Sequence, residues 1–173
     1  MSHFHPLKIS ALRRDTRDAV VISFEIPESL STEFAYQPGQ HLTLRTHIQG
    51  EEVRRSYSIC SAVQDHELRI GIKKVTDGLF STWATSALEA GMVVDVMPPE
   101  GHFHVPFDAT SQRSYLAIAA GSGITPIFSI MKSTLLAEPN SRFTLVYGNR
   151  ASSTIMLRDD IANLKDRFLD RVS

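Results

Sequence analysis

The first hundred residues divide into short β-rich runs, each ended by turn chemistry. Phe4 to Arg13 and Ala19 to Ile26 are two such runs, joined by the polar Arg14-Asp15-Thr16-Arg17-Asp18, and Pro27 closes the second. Gln37-Pro38-Gly39-Gln40 predicts a turn, with proline fixing φ and glycine free to take φ > 0. His41 to Ile48 follows, then a strand bearing Arg55 and Tyr57 after the Gln49-Gly50-Glu51-Glu52 turn, then Leu68 to Val75 and Val93 to Met97. Strands this short and closely spaced predict a small antiparallel barrel of six strands. Between the fifth and sixth runs the spacing changes. Leu79, Phe80, Trp83, Ala84, Ala87 and Leu88 form a helical stripe, preceded by Asp77-Gly78 and stopped by Gly91.

After the polar linker from Asp108 to Arg113 the pattern is different. Tyr115-Leu116-Ala117-Ile118-Ala119-Ala120 is continuously apolar, as expected of a parallel strand covered on both faces. A helix with Ile127, Phe128, Ile130, Met131 and Leu135 comes next, then a second buried strand, Phe143 to Tyr147. The last helix carries Leu157, Ile161, Leu164 and Phe168. The expected division is therefore residues 1–112 for the barrel and 113–173 for the first part of a doubly wound parallel α/β domain. Two strands and two helices fall short of such a domain, and the last helix should have its apolar stripe poorly covered. A piece of a longer protein is the expectation.

Composition narrows the function classes. With 173 residues and 42% hydrophobic composition the chain can bury a core, and Lys+Arg 18 against Asp+Glu 19 offers no basic footprint for nucleic acid or membrane. Phosphate binding must then be local. The single Cys60 makes no internal disulfide and cannot alone hold an iron–sulfur cluster; a small core thiol or a redox role remain open for it. No apolar run is long enough to span a membrane, and Met1-Ser2-His3-Phe4-His5-Pro6 lacks the features of a leader, so a reducing cytoplasm is the simplest address. His3-x-His5 and His102-x-His104 have no Cys, Asp or Glu partner at ligand spacing, and no metal site is expected.

Three stretches carry candidate chemistry. In Arg54-Arg55-Ser56-Tyr57-Ser58-Ile59-Cys60-Ser61, period-two geometry puts Arg55 and Tyr57 on one face, where a guanidinium could fork onto pyrophosphate while a phenol ring lies against a planar heterocycle. Ser58 reaches the same ligand only if the strand ends or twists there. By itself this is also an ordinary barrel strand with solvated arginines. The first turn of the helix after Asp77 has unpaired N–H groups at about Gly78 to Ser81, an anion site or simply a helix covering the barrel end. Gly121-Ser122-Gly123-Ile124-Thr125-Pro126 stands between a strand and a helix, where glycines let phosphates approach the backbone. At the end of the next strand, Gly148-Asn149-Arg150 lacks the acid that usually meets the ribose of NAD, which favours a 2′-phosphate and hence NADPH; a solvated loop capped at Ser152 or Ser153 is the alternative.

The order of these motifs is more specific than any one of them. Arg55-Ser56-Tyr57-Ser58, Gly78-Leu79-Phe80-Ser81 and Gly121-Ser122-Gly123-Ile124-Thr125-Pro126, with Pro38-Gly39-Gln40-His41 and Tyr147-Gly148-Asn149-Arg150, resemble the amino-terminal part of the ferredoxin-NADP reductase superfamily. The resemblance implies a Greek-key barrel binding FAD and a second domain binding NADPH. It also implies a [2Fe-2S] ferredoxin module absent from this chain, passing electrons to a di-iron oxygenase that acts on phenylacetyl-CoA. By the same likeness Arg55 meets the FAD phosphates, and Gly78, Leu79, Phe80 and Ser81 cradle the pyrophosphate. Tyr57 and Ser58 lie at the isoalloxazine, with Thr125 near the nicotinamide. Ile72, Lys73, Gly121, Gly123, Asn149 and Arg150 complete the cofactor contacts. A general NAD(P)H:flavin reductase, or a flavin-binding docking module without turnover, is the alternative; FMN in place of FAD stays open.

Overall fold

In the computed structural model, which describes residues 3–173, the chain starts with a long hairpin. Met1 and Ser2, part of the stretch read for leader features, lie outside the described residues. Strand β1 (His5–Thr16) pairs antiparallel with β2 (Ala19–Glu25), so part of the polar stretch expected to form a connection belongs to the ladder, Arg14 facing Val20 and Thr16 facing Ala19. Two register shifts, at Ile9/Ala11 and Arg14/Thr16, accommodate them. β3 (His41–Ile48) and β4 (Glu51–Ser58) form a second hairpin whose two-residue turn has Gln49 and Gly50 at positive φ. With β5 (Leu68–Lys73) and β6 (Val93–Val96) the strand order is β4-β3-β6-β1-β2-β5, and an Ile59–Ile70 bridge joins the two outer strands. That bridge closes the sheet into the antiparallel barrel.

Inward-facing Leu7, Ile9, Val20, Ile22, Leu42 and Leu44 fill the barrel, and helix α1 (Leu79–Ser86) plugs one end with Phe80 and Ala84. α1 ends at Ser86, well before Gly91. Leu88 has already turned into the core, and the Gly91 N–H donates to the Ile9 carbonyl. Arg14 Nη2 donates to the Thr85 carbonyl at 2.9 Å, placing a cation at the negative end of the helix.

The second unit contains β7 (Ser114–Ala120), α2 (Ile124–Ala137), β8 (Arg142–Gly148) and α3 (Arg158–Arg167), with β7 and β8 parallel and in register. Residues Arg171 to Ser173 run beside β8, exchanging backbone bonds with Phe143 and Leu145. Leu116, Ile118 and Val146 are 67%, 74% and 52% exposed, so the described residues cover one face of this sheet. One expectation is corrected here. The last helix is the better-covered element: Leu157 and Leu164 are buried, and Ile161 and Phe168 pack at the edge of the same core.

That core is shared. Ala19, Val21 and Cys60 of the barrel join Ile124, Phe128, Met131, Met156 and Leu157 in one apolar cluster, so β2 is buried on both faces. Polar bonds reinforce the junction. Ser129 Oγ donates to the Ser61 carbonyl at 2.6 Å, and Lys132 pairs with Asp65 at 2.6 Å.

Buried Glu138 organises the linker. Its carboxylate accepts from the Asp108 N–H, the Tyr115 hydroxyl and the Ser141 hydroxyl. Burial alone would push its pKa up, but these bonds and the charge of Arg113 outweigh burial and hold it below the usual carboxylate value. A depressed folded pKa contributes stability that is complete above the unfolded value and lost as pH falls through the folded one. Glu138→Gln is therefore expected to flatten the acid limb of the stability–pH curve, as read by urea midpoints from neutral pH downward.

Gly39 and Gly50 both hold positive φ, at 100° and 85°, but a Cβ on Gly39 would overlap the Phe103 carbonyl oxygen whereas one on Gly50 meets nothing. Urea unfolding should accordingly give a cost of about 1 kcal/mol for Gly50→Ala and about 2–3 kcal/mol for Gly39→Ala.

Candidate functional site

The site is built where the barrel meets the second unit. On β4, alternation separates two neighbouring arginines. Arg54 pairs with Glu52 at 2.6 Å, whereas Arg55, opposite Leu44, meets no carboxylate among the described residues and bonds only the Arg54 carbonyl. Tyr57, opposite Leu42, is half-buried with its ring 5.6 Å from that of Phe80. Burial pushes the Tyr57 phenol up to about 12, with Arg55 drawing it down. At neutral pH the group is a protonated platform and donor. β4 ends at Ser58, which pairs with His41 before the Ile59 N–H turns to the Gln40 carbonyl.

β5 delivers the next group. The Ile72 side chain is fully buried in the barrel core, so it forms wall and not cleft surface; Lys73 follows it, and the Lys74 N–H donates to the Asp18 carbonyl. The chain then turns through Asp77, at φ +58, and Gly78, where a Cβ would collide with Val75 and Ser81. The Gly78 N–H is taken by the Val75 carbonyl. Ser81 Oγ accepts from the Val75 N–H at 3.1 Å and donates to the Gly78 carbonyl at 3.3 Å, which ties the turn together. Neither the Gly78 N–H nor the Ser81 hydroxyl is free for a ligand. The anion-seeking groups are the N–H groups of Leu79, Phe80 and Ser81, which find no acceptor among the described residues.

From the other unit, β7 ends at Ala120 and Gly121 takes φ +52, its carbonyl accepting from the Tyr147 hydroxyl at 2.8 Å. Gly123, with nothing near its missing Cβ, leads into α2. Thr125, expected near the nicotinamide, stands in the first turn of α2. It is buried, its hydroxyl donates to the Ser122 carbonyl at 3.0 Å, and its methyl lies 2.7 Å from where a Cβ on Gly71 would stand. It packs the junction and does not turn its hydroxyl outward.

Between these parts lies a cleft of about 840 Å³ lined by Lys73, Lys74, Gly121, Ser122, Asn149 and Arg150, with Asp18 the single carboxylate on its wall. A second hollow of about 470 Å³ shares Asp18, Lys74, Val75 and Thr76 and continues to Asp77 and Thr82 at the start of α1. The structure thus joins Lys73, Gly121, Asn149 and Arg150 in one groove leading to α1. Gly123, Arg55, Tyr57 and Ser58 do not line it, and Tyr57 reaches α1 through Phe80. Lys74 and Ser122 line the cleft but escaped the sequence reading. The Lys73-Lys74 pair just before a polar turn was the available signal for the first. Both amide atoms of Asn149 are buried without a hydrogen bond in the cleft wall. Cys60 is buried at the junction, and burial pushes its thiol up to about 12, so it stays protonated.

A groove that runs from a glycine turn past Lys73, Lys74 and Arg150 to the start of α1, with the unpaired Arg55 outside it, suits a dinucleotide carrying two phosphates. Comparison with known proteins agrees. Residues 6–105 match the oxidoreductase FAD-binding domain family and residues 117–172 the oxidoreductase NAD-binding domain family. The chain is 45% identical over 172 residues to a subunit of 1,2-phenylacetyl-CoA epoxidase of Escherichia coli, covering 99% of this chain and 48% of that protein. It is 33% identical over 169 residues to the ferredoxin reductase component of 3-ketosteroid-9-alpha-monooxygenase of Rhodococcus rhodochrous, covering 96% of this chain and 47% of that protein. The chain spans about half the length of the curated relatives it matches. Among solved structures, phthalate dioxygenase reductase, described as modular for electron transfer from pyridine nucleotides to [2Fe-2S], superposes with a TM-score of 0.77 at 27% identity, covering 98% of this chain and 50% of that one. No helix among the described residues is long and apolar enough to cross a membrane. The chain belongs to the FAD- and NAD-binding oxidoreductases of the ferredoxin-NADP reductase superfamily.

Proposed function

We propose that the intact protein is an NADPH-dependent FAD reductase that passes electrons, through a [2Fe-2S] module outside this chain, to the di-iron oxygenase subunits of a cytoplasmic complex acting on phenylacetyl-CoA. Residues 1–112 form its FAD unit and 113–173 the start of its NADPH unit. One observation carries the reading: the glycine turn and Arg150, at the carboxyl edge of a parallel sheet, open onto the same groove as the first turn of α1. The 45% identity with the Escherichia coli epoxidase component supports the choice of oxygenase.

The residues fit FAD. Three N–H groups at the start of α1 accept a pyrophosphate, Gly78 lets the turn before them pack against Val75 and Ser81, and Arg55 adds a charge not spent on any carboxylate of the described chain. Tyr57, protonated and braced by Phe80, offers a flat face and a hydroxyl, with Ser58 beside it at the strand end. Bound there, FAD supplies two-electron acceptance and one-electron release. The chain's own work is orientation and charge. Lys73, Lys74 and Arg150 draw the phosphates of a pyridine nucleotide into the cleft, while the bare backbone at Gly121 lets it approach the sheet edge.

In the full-length protein, Arg55→Ala should weaken FAD binding by about 1.5–3 kcal/mol at fixed ionic strength, the loss of a charge-assisted fork. An unchanged dissociation constant, measured by flavin fluorescence, removes Arg55 from the site.

Arg150→Glu should move the preference from NADPH toward NADH in anaerobic flavin-reduction assays. The same ratio of kcat/KM values before and after refutes the 2′-phosphate assignment.

A further inference from the structure

The structure assigns to Asp15 and Asp160 the positioning of the cleft loop that carries Asn149 and Arg150; we draw this on the pyridine-nucleotide reading above. The loop leaves β8 at Gly148, lines the cleft through Thr154, and is buried again at Met156 and Leu157. Its far end is pinned from the barrel. Met156 reaches Gly71 of β5, its Cε 3.1 Å from where a Cβ there would stand. Leu157 is fully buried at φ +57, a left-handed conformation that a leucine adopts only when held, and its N–H donates to Asp15 Oδ2 at 2.9 Å. In the first turn of α3, Asp160 binds Arg13 Nη2 at 2.5 Å and stands 3.7 Å from Arg69 Nη2, so β1 and β5 both grip the start of that helix. Arg13 also lies 3.4 Å from Asp15, which links the two grips.

Neither carboxylate lines the cleft. Both act through the loop between β8 and α3, whose near end is fixed by the sheet and whose far end they fix to the barrel. The position of Arg150 relative to Lys73, on the opposite wall, then depends on this latch. Loosening it costs binding of the nucleotide that spans the cleft and leaves the flavin half intact. Breaking a partly buried charge contact of this kind changes an equilibrium by about five- to tenfold.

The test uses full-length protein loaded with FAD, with flavin reduction followed by stopped flow against NADPH concentration. Asp160→Ala and Asp15→Ala should keep wild-type FAD content and limiting rate but raise the NADPH dissociation constant about five- to tenfold. Asp160→Glu, and Asp15→Asn, which keeps an acceptor for the Leu157 N–H, should return it to within about twofold of wild type. Arg13→Gln, at a half-exposed position, must show the same rise and serves if either alanine variant fails to fold. Wild-type-like dissociation constants in Asp160→Ala or Arg13→Gln overturn the latch, as does a lowered limiting rate with unchanged binding. A wild-type protein that NADPH does not reduce overturns the pyridine-nucleotide reading itself, a separate outcome.

Discussion

Everything about the site depends on how closely the barrel and the α/β unit approach each other, and that approach is set at Gly71. A side chain there would stand 2.7 Å from the Thr125 methyl and 3.1 Å from Met156. With no Cβ in the way, α2 and the loop before α3 settle directly onto β5, and Ala19, Val21 and Cys60 complete a core with Phe128 and Met131. Two surfaces that would otherwise be independent become opposite walls of one groove. Interiors packed this tightly do not slide, so the spacing between those walls is fixed by apolar contact before any ligand arrives.

Each wall then contributes backbone more than side chains. On the barrel side the turn into α1 consumes its own polar groups, Ser81 clipping Val75 to Gly78, and leaves three N–H groups outward. On the sheet side the Tyr147 hydroxyl donates to the Gly121 carbonyl and fixes the glycine turn. Charge is supplied separately by Lys73, Lys74 and Arg150, against Asp18 in the cleft and Asp77 in the hollow beside it. Backbone donors with long-chain cations around them suit a phosphate-bearing ligand that must enter and leave.

The barrel was legible wherever alternation and turn chemistry agreed, as in the third strand, His41 to Ile48, where Gly39 and Gly50 bracket the strand. β1 runs longer than its pattern suggested because the polar side chains at its end find partners, Arg14 at the Thr85 carbonyl of α1 and Asp15 at the Leu157 N–H of the junction. In the run from Tyr115 to Ala120 the described residues cover only one face. Apolar composition does not say which face is covered, and Leu116 and Ile118 point outward while Ala117 and Ala119 pack inward. At the site, residue type and order located the glycine turns, but hydrogen-bond partners are a three-dimensional property. The buried hydroxyls of Ser81 and Thr125 are both spent within their own turns, which no spacing rule reveals.

The central claim is that the two nucleotide-facing walls close on one cleft, with α1's first turn at one end and the β7–β8 edge at the other. Residue-resolved amide hydrogen exchange of the full-length protein, first with FAD and then with NADP+ added, tests it directly. The account predicts that FAD slows exchange at Leu79, Phe80 and Ser81, and that NADP+ adds protection at Gly121 to Gly123 and at Asn149 and Arg150. Exchange at those amides that stays unchanged with both nucleotides bound contradicts it.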